Sequence, residues 1–293
     1  MSEKLHKVMA NYGLGSRRQM EAWICDNRVA VNGRPASLGD RVEPSDRIAV
    51  DGKVINPKRD DDRQAPPTRV LIYHKPVGEV TTRSDPEGRA TIFVNLPPIK
   101  RGRWITVGRL DINTAGLLLV TNSGELAHRL MHPSWQIERT YAVRVLGQVD
   151  NEMLQRLQQG VELEDGQAAF ASIKSQPIET ESANQWFHVT LNEGRRREVR
   201  RLWESQGVQV NRLIRIAYAG VTLPRWLRPS KWHELNQKEL AALSQRVELS
   251  YESALTTEAG GRGAPPAIEK NRHRLGAKGV QSQNRLRLGS VLI

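Results

Sequence analysis

Residues 108–124 read GRLDINTAGLLLVTNSG. This stretch decides the fold, because a polar loop runs straight into an apolar segment at 117–120, which predicts a strand. It also raises a chemical question. Asp111 sits in the loop just before that strand, and a carboxylate there is either a turn residue or a reagent. On local evidence the turn leads. In LDINT the side chain could form an Asx turn or accept from the backbone N–H of Asn113 or Thr114. To act as a nucleophile it would have to be ionised, positioned and partly shielded from water.

Working outward, further apolar strands are expected at RVLIYHKP, TYAVRVLG and WFHVTL, separated by helical patterns such as NEMLQRLQQG. Strands and helices mix without a strict βαβ rhythm. The region 68–250 therefore reads as an α+β domain with a mixed, largely antiparallel sheet flanked by helices. Residues 1–57 read as a separate small domain. Leu5, Val8, Met9 and Tyr12 recur at helical spacing, and Gly13 and Gly15 end that helix. Ser16 is placed to cap a second helix whose apolar side is Met20, Trp23 and Ile24. The period then shortens, with hairpin turns at Asn32-Gly33 and Asp51-Gly52, so a small sheet follows. The charged, Pro-bearing run NPKRDDDRQAPP contains a linker at 58–67. Residues 251–293 lose apolar content and carry seven Lys/Arg against three Glu from Glu252 onward. They read as a basic disordered tail, either touching RNA nonspecifically or merely solubilising.

Composition points to the partner. The 293 residues carry a formal net charge of +12, an excess that predicts an extended anionic partner, nucleic acid before membrane. No apolar run approaches the roughly 20 residues needed to span a bilayer, and the N-terminus has no secretory core. Cys25 is the only cysteine, which rules out a disulfide within the chain and argues against a Cys-based zinc site. A cytoplasmic protein is expected.

Two arginine clusters stand out. Arg17 and Arg18 fall in the first turn of the second helix, where the dipole is already positive, so an anionic ligand would relieve them. Two solvated arginines are the equal alternative. The second cluster, NEGRRREVRRLWE, holds Arg195, Arg196, Arg197, Arg200 and Arg201. If it is helical, Val199 and Leu202 face the core, Arg200 sits beside them, and one arginine of the cluster is expected to point inward. An inward guanidinium demands a carboxylate, for which Asp111 is a good candidate.

The first segment resembles the α-L RNA-binding domain, through Leu5, the GLGSRR turn, RVAVNG and the closing VDG. The segments YHKPVG, GRLDINTAGLLLVTNSG, ERTYAVRV and NEGRRREVRRLW, in this order, are similar to the motifs of the bacterial ribosomal RNA pseudouridine synthases that carry such a domain. The resemblance covers about residues 1–248, and GRRREVRRLWE and LMHPSWQIERTYAVRV favour the large-subunit branch. Two positions depart from the pattern: Asn122-Ser123 where an Asp before Gly124 is common, and Arg196 where relatives often have Asn.

The resemblance implies an enzyme that isomerises a uridine of large-subunit ribosomal RNA. It makes Asp111 the nucleophile, Tyr141 the ring that stacks on the uracil, and Arg200 the partner that keeps the aspartate ionised. Arg109 would fill the gap left by the flipped base, and Lys75 and Pro76 would be mainly structural. Arg17, Arg18, Arg195, Arg196 and Arg197 complete the expected RNA contacts. The base must leave the ribose, turn over and rejoin through carbon, which calls for no cofactor or metal. Whether the aspartate attacks the sugar or removes a ribose proton stays open. So does the choice among this enzyme, the same enzyme acting on small-subunit RNA, and a non-catalytic RNA-binding assembly factor. Structured ribosomal RNA is the expected partner, and nothing demands more than a monomer. His128 and His132 lack a third ligand and read as packed or RNA-facing, not as zinc ligands. Of the seven tryptophans, Trp203, Trp226 and Trp232 are expected in the core or at domain contacts.

Overall fold

The computed structural model describes residues 2–55, 67–100, 102–176 and 184–250. Most of the expected linker and all of the expected tail lie outside these residues.

In the small domain, helices α1 (Leu5–Asn11) and α2 (Arg17–Cys25) precede a four-stranded antiparallel sheet. Its central strands are β1 (Val29–Val31) and β2 (Ile48–Val50). Ser16 caps α2 by accepting the Gln19 N–H at 3.0 Å. Asn32 and Gly33, then Asp51 and Gly52, take positive φ of 51°, 83°, 48° and 74°. Consecutive positive φ gives the turn whose twist suits a two-residue hairpin, which is why both are Asn/Asp-Gly pairs. Leu5, Met9, Met20, Ile24, Val29 and Ile48 close a core of this domain's own. Tyr12 lies outside it at 38% exposure, and Ala10 is buried instead.

In the large domain seven strands form the path of a nine-stranded sheet. They are β3 (Val70–Lys75), β4 (Ala115–Thr121), β5 (Arg139–Leu146), β6 (Ser172–Ser175), β7 (Asn184–Leu191), β8 (Gln209–Tyr218) and β9 (Trp232–Glu234). Their order is β6-β7-β5-β8-β4-β3-β9, and Ile105–Thr106 and Val221–Thr222 pair at its side. All neighbours run antiparallel except β4 and β8. Helices α3 (Gly124–Met131), α4 (Asn151–Gln159), α5 (Glu198–Glu204) and α6 (Gln237–Gln245) flank it.

The apolar run at 117–120 is explained by burial on both faces. Leu117 and Leu119 join Val70 and Ile72 against α3 and α6, while Leu118 and Val120 join Leu71 and Tyr73 against Ile92 and Trp104. A strand with two dry faces needs apolar residues at every position, not at alternate ones. Ser123 accepts from the Leu126 N–H at 3.2 Å and starts α3, so the Asn-Ser-Gly departure still supplies a cap. On the other half of the sheet, α5 sets Val199, Leu202 and Trp203 against β5, β7 and β8. Trp203 is fully buried near Phe170 and Phe187, as expected. Trp226 and Trp232 are not core residues: they are 65% and 37% exposed. No helix among the described residues is long and apolar enough to cross a membrane.

Candidate active site

Asp111 follows the short strand Ile105–Thr106 and precedes β4. Five successive carbonyls of this loop are held. Leu110 O accepts from Thr81 Oγ1 at 2.9 Å, and Ile112 O from the Gly78 N–H at 2.8 Å. Asn113 O accepts from Arg200 Nη2 at 3.0 Å. Lys75 Nζ donates to Asp111 O at 3.0 Å and Thr114 O at 2.9 Å. The Thr114 N–H closes the turn on Asp111 O at 3.0 Å. The Asp111 side chain makes no hydrogen bond or ion pair among the described residues, and the residue is exposed. The turn reading of this carboxylate therefore fails. Main-chain atoms make the turn, and the side chain is left free on a fixed base.

Lys75 explains the fixity. It ends β3, is fully buried, and spends its three protons on Pro76 O, Asp111 O and Thr114 O. Burial pushes its pKa down to about 8, against the opposing charges of Glu79 and Asp111. An ammonium with three donors suits three carbonyls, which is more than packing alone would require.

Arg200 does turn inward, at 6% exposure. The direct ion pair with Asp111 expected from sequence is not formed. Its Nη1 donates to Val210 O at 2.7 Å and its Nη2 to Asn113 O, so the guanidinium grips the aspartate's loop instead of its carboxylate. Burial and then the neighbouring Arg197 lower the Arg200 pKa, while the Asp111 charge raises it. The two are thus electrostatic neighbours although their side chains do not bond.

Tyr141 lies on β5, opposite Val189 of β7 and Arg215 of β8. Opposed residues share a face of the sheet. Arg215 was not foreseen. It is 3% exposed, donates Nε to Leu117 O at 2.7 Å, and leaves Nη2 buried without a hydrogen-bond partner among the described residues. Its guanidinium is 4.9 Å from the Tyr218 ring centroid, and that of buried Arg139 is 5.1 Å from the same ring. Alternation with Leu213 was the signal: a cation in register with core residues of a strand. β8 also runs parallel to the start of β4, where Arg215 pairs with Gly116. A Cβ on Gly116 would lie 2.3 Å from Arg215 O, and its φ is +108°. The glycine after the aspartate loop is thus required by close backbone approach. β8 thus sets Arg215 beside Tyr141 of β5 and Gly116 of β4, and Arg200 holds the Asp111 loop at Asn113 O.

The expected RNA contacts divide. Arg109 and Arg196 are exposed and unpaired among the described residues, as are Arg17 and Arg18 at the start of α2. Arg197 is exposed, 3.8 Å from Glu204. Arg195 also braces the fold. It pairs with Glu193 at 2.8 Å and donates to the carbonyls of Asp165, Gly166 and Gln167. His128 and His132 meet edge-on at 5.5 Å, and His132 Nδ1 faces Ser134 Oγ at 2.7 Å.

The sequence profile of the RNA pseudouridylate synthases matches residues 69–205, and that of the S4 domain matches 3–48. The chain belongs to the RNA pseudouridylate synthase family. Ribosomal large subunit pseudouridine synthase B of Escherichia coli (strain K12) is 50% identical over 283 residues, covering 96% of this chain and 92% of that protein. The protein of the same name from Yersinia pestis is 49% identical, covering 96% and 85%. That of Pseudomonas aeruginosa is 54% identical over 249 residues, covering 85% and 64%. A solved pseudouridylate synthase has the same fold, with a TM-score of 0.56 at 24% identity, covering 82% of this chain and 99% of that one.

Proposed function

We infer that this enzyme converts a uridine of large-subunit ribosomal RNA to pseudouridine in the bacterial cytoplasm, with Asp111 as the reacting group. The observation that carries this reading is the Asp111 loop. Its backbone is held at five successive carbonyls while its carboxylate is left free. A carboxylate of structural purpose would be bonded; one kept for a substrate is positioned and unspent. The names of the relatives supply the RNA class.

The steps follow from the residue types. The target nucleotide leaves its stack at a cost of a few kcal/mol. Tyr141 offers a ring against which the uracil recovers part of that cost. Arg109, exposed just before the aspartate, is placed to fill the vacated position in the RNA. Asp111 then begins cleavage of the glycosidic bond, by attack on the sugar or by removing a ribose proton. The uracil turns over and rejoins the sugar through carbon, and a proton leaves that carbon. Arg200, buried behind the loop, holds it through the Asn113 carbonyl and keeps a positive charge near Asp111. Arg17, Arg18, Arg196 and Arg197 contact phosphates away from the chemistry.

The test is tritium release from ribosomal RNA labelled at the uracil carbon that forms the new bond. Wild type and Asp111→Asn are compared on separated large- and small-subunit RNA. Release from large-subunit RNA by wild type alone is expected. Tight binding without release from either RNA would overturn catalysis and leave an assembly factor. Release from small-subunit RNA alone would move the target.

A further inference from the structure

The segment 224–233, PRWLRPSKWH, puts two tryptophans and three cations at one edge of the main sheet. Trp226 and Trp232 are 65% and 37% exposed, contrary to what their apolar character predicts. Arg225, Arg228 and Lys231 are exposed and make no hydrogen bond or ion pair with their side chains among the described residues. β9, which carries Trp232, is the terminal strand of the sheet. A bare sheet edge bearing large apolar rings is a hazard unless something covers it.

The segment is also rigidly seated. Leu227 is buried, and its carbonyl meets His74 Nδ1 at 2.7 Å. The Ser230 N–H donates to His74 O at 2.8 Å, and the His74 N–H donates to Lys231 O at 2.9 Å. Ser230 Oγ lies 3.2 Å from Glu79 Oε1. His233 stands edge-on to Trp226, 5.0 Å away at 82°, which fixes the plane of the indole. His74 immediately precedes Lys75, the residue that holds the Asp111 loop. The aromatic edge and the aspartate are therefore anchored on the same strand.

Indole faces interleaved with unpaired cations suit one chemistry above others. Bases of an unpaired strand stack on the rings, and the phosphates between them meet the cations. We propose that this edge binds an unpaired segment of the RNA substrate flanking the target uridine, with Trp226 as its stacking platform. The proposal rests on the RNA-modifying reading above. It adds a second contact surface, apart from the small domain and the reacting aspartate. A protein partner would instead want apolar area without three uncompensated charges, and the charge decides against it.

The full chain tests this with a fluorescein-labelled, unstructured pyrimidine 12-mer RNA, followed by anisotropy over a range of salt. Wild type is compared with Trp226→Ala, with Arg225→Gln/Arg228→Gln/Lys231→Gln, and with Lys174→Gln, a control on the opposite edge strand. Trp226→Ala should weaken binding by about tenfold, within the span of one base–aromatic stack. The triple variant should lower the slope of log K against log salt by about 2, as expected for three lost contacts to a single strand. Lys174→Gln should match wild type. RNA should quench the tryptophan fluorescence of wild type, and Trp226→Phe should lose most of that quench. Unchanged affinity and slope in both edge variants would overturn the proposal. So would concentration-dependent self-association that Trp226→Ala abolishes while RNA affinity stays intact. Tritium release by wild type is measured in parallel. Its absence would sink the enzymatic reading while the quench and slope still judged the edge on their own. Its presence, with unaltered KM in the edge variants, would sink the edge alone.

Discussion

Replacing Asp111 by asparagine changes a side chain that bonds to no other group among the described residues. The variant should unfold within about 0.5 kcal/mol of wild type, as for a surface change that breaks no contact. Isomerisation should be lost. Thermal melts beside tritium release check both halves, and a large drop in melting temperature would mean that the carboxylate is structural after all. Lys75 should behave in the opposite way. Lys75→Met takes the side-chain donor from Pro76 O and Thr114 O, at about 1 kcal/mol or more for each, and leaves Asp111 O with only the Thr114 N–H. Its titration gives a sharper test. The pKa is lowered from 10.5 to about 8 in the folded chain. Between those values the unfolded chain holds the proton and the folded chain does not, so this group makes stability rise with pH there. Activity should move the other way. A neutral amine has two protons for three carbonyls, and the Asp111 loop loosens as pH passes about 8. Melts and turnover followed from pH 7 to 10 should therefore diverge. Parallel curves would show that Lys75 does not govern the loop.

At the scale of elements, the parallel contact between β4 and β8 is the tightest constraint on the site. Gly116→Ala drives a methyl to 2.3 Å from Arg215 O at a φ of +108°, so backbone must shift. Steric overlap and left-handed strain together should cost about 3 kcal/mol or more. Because the shift separates Arg215 from the loop, residual turnover should fall further than stability alone explains. Urea unfolding and kcat measured well below the melting temperature check this, and a variant with wild-type kcat would show that the two strands need no such approach. The same elements show what the sequence carried. The run at 117–120 announced a strand, and the helix with Arg200 beside Val199 and Leu202 was legible from spacing. The partners of Arg200 were not. They are the main-chain carbonyls of Asn113 and Val210, which no residue type advertises and only the folded sheet brings near. Arg215 left a faint trace, a cation at a core-facing register, but a bulge between Thr140 and Tyr141 hid its pairing with Tyr141. Arg195 hid its protein partners for the converse reason. It resembles its exposed neighbours in sequence, yet folding spends it on Glu193 and a nearby hairpin.

At the scale of the whole molecule, the net charge of +12 is spread over parts with separate hydrophobic cores. The small domain closes its own core around Leu5, Met9, Met20 and Ile24, and its free cations Arg17 and Arg18 head α2. On the proposed function they hold RNA equally in the ground state and the transition state. An interaction of that kind changes KM and leaves kcat alone. Arg17→Gln/Arg18→Gln should therefore raise KM for ribosomal RNA several-fold at physiological salt with kcat within about twofold of wild type. Removing two phosphate contacts should also lower the salt slope by about 1.4 to 1.8. Because Ser16 still caps the helix and both arginines are exposed, stability should stay the same or rise slightly as the helix start loses like charge. Steady-state kinetics on large-subunit RNA at three salt concentrations checks all of this. A fall in kcat at saturating RNA would mean that the small domain helps to place the uridine against Asp111, and that the two cores cooperate in the chemistry itself.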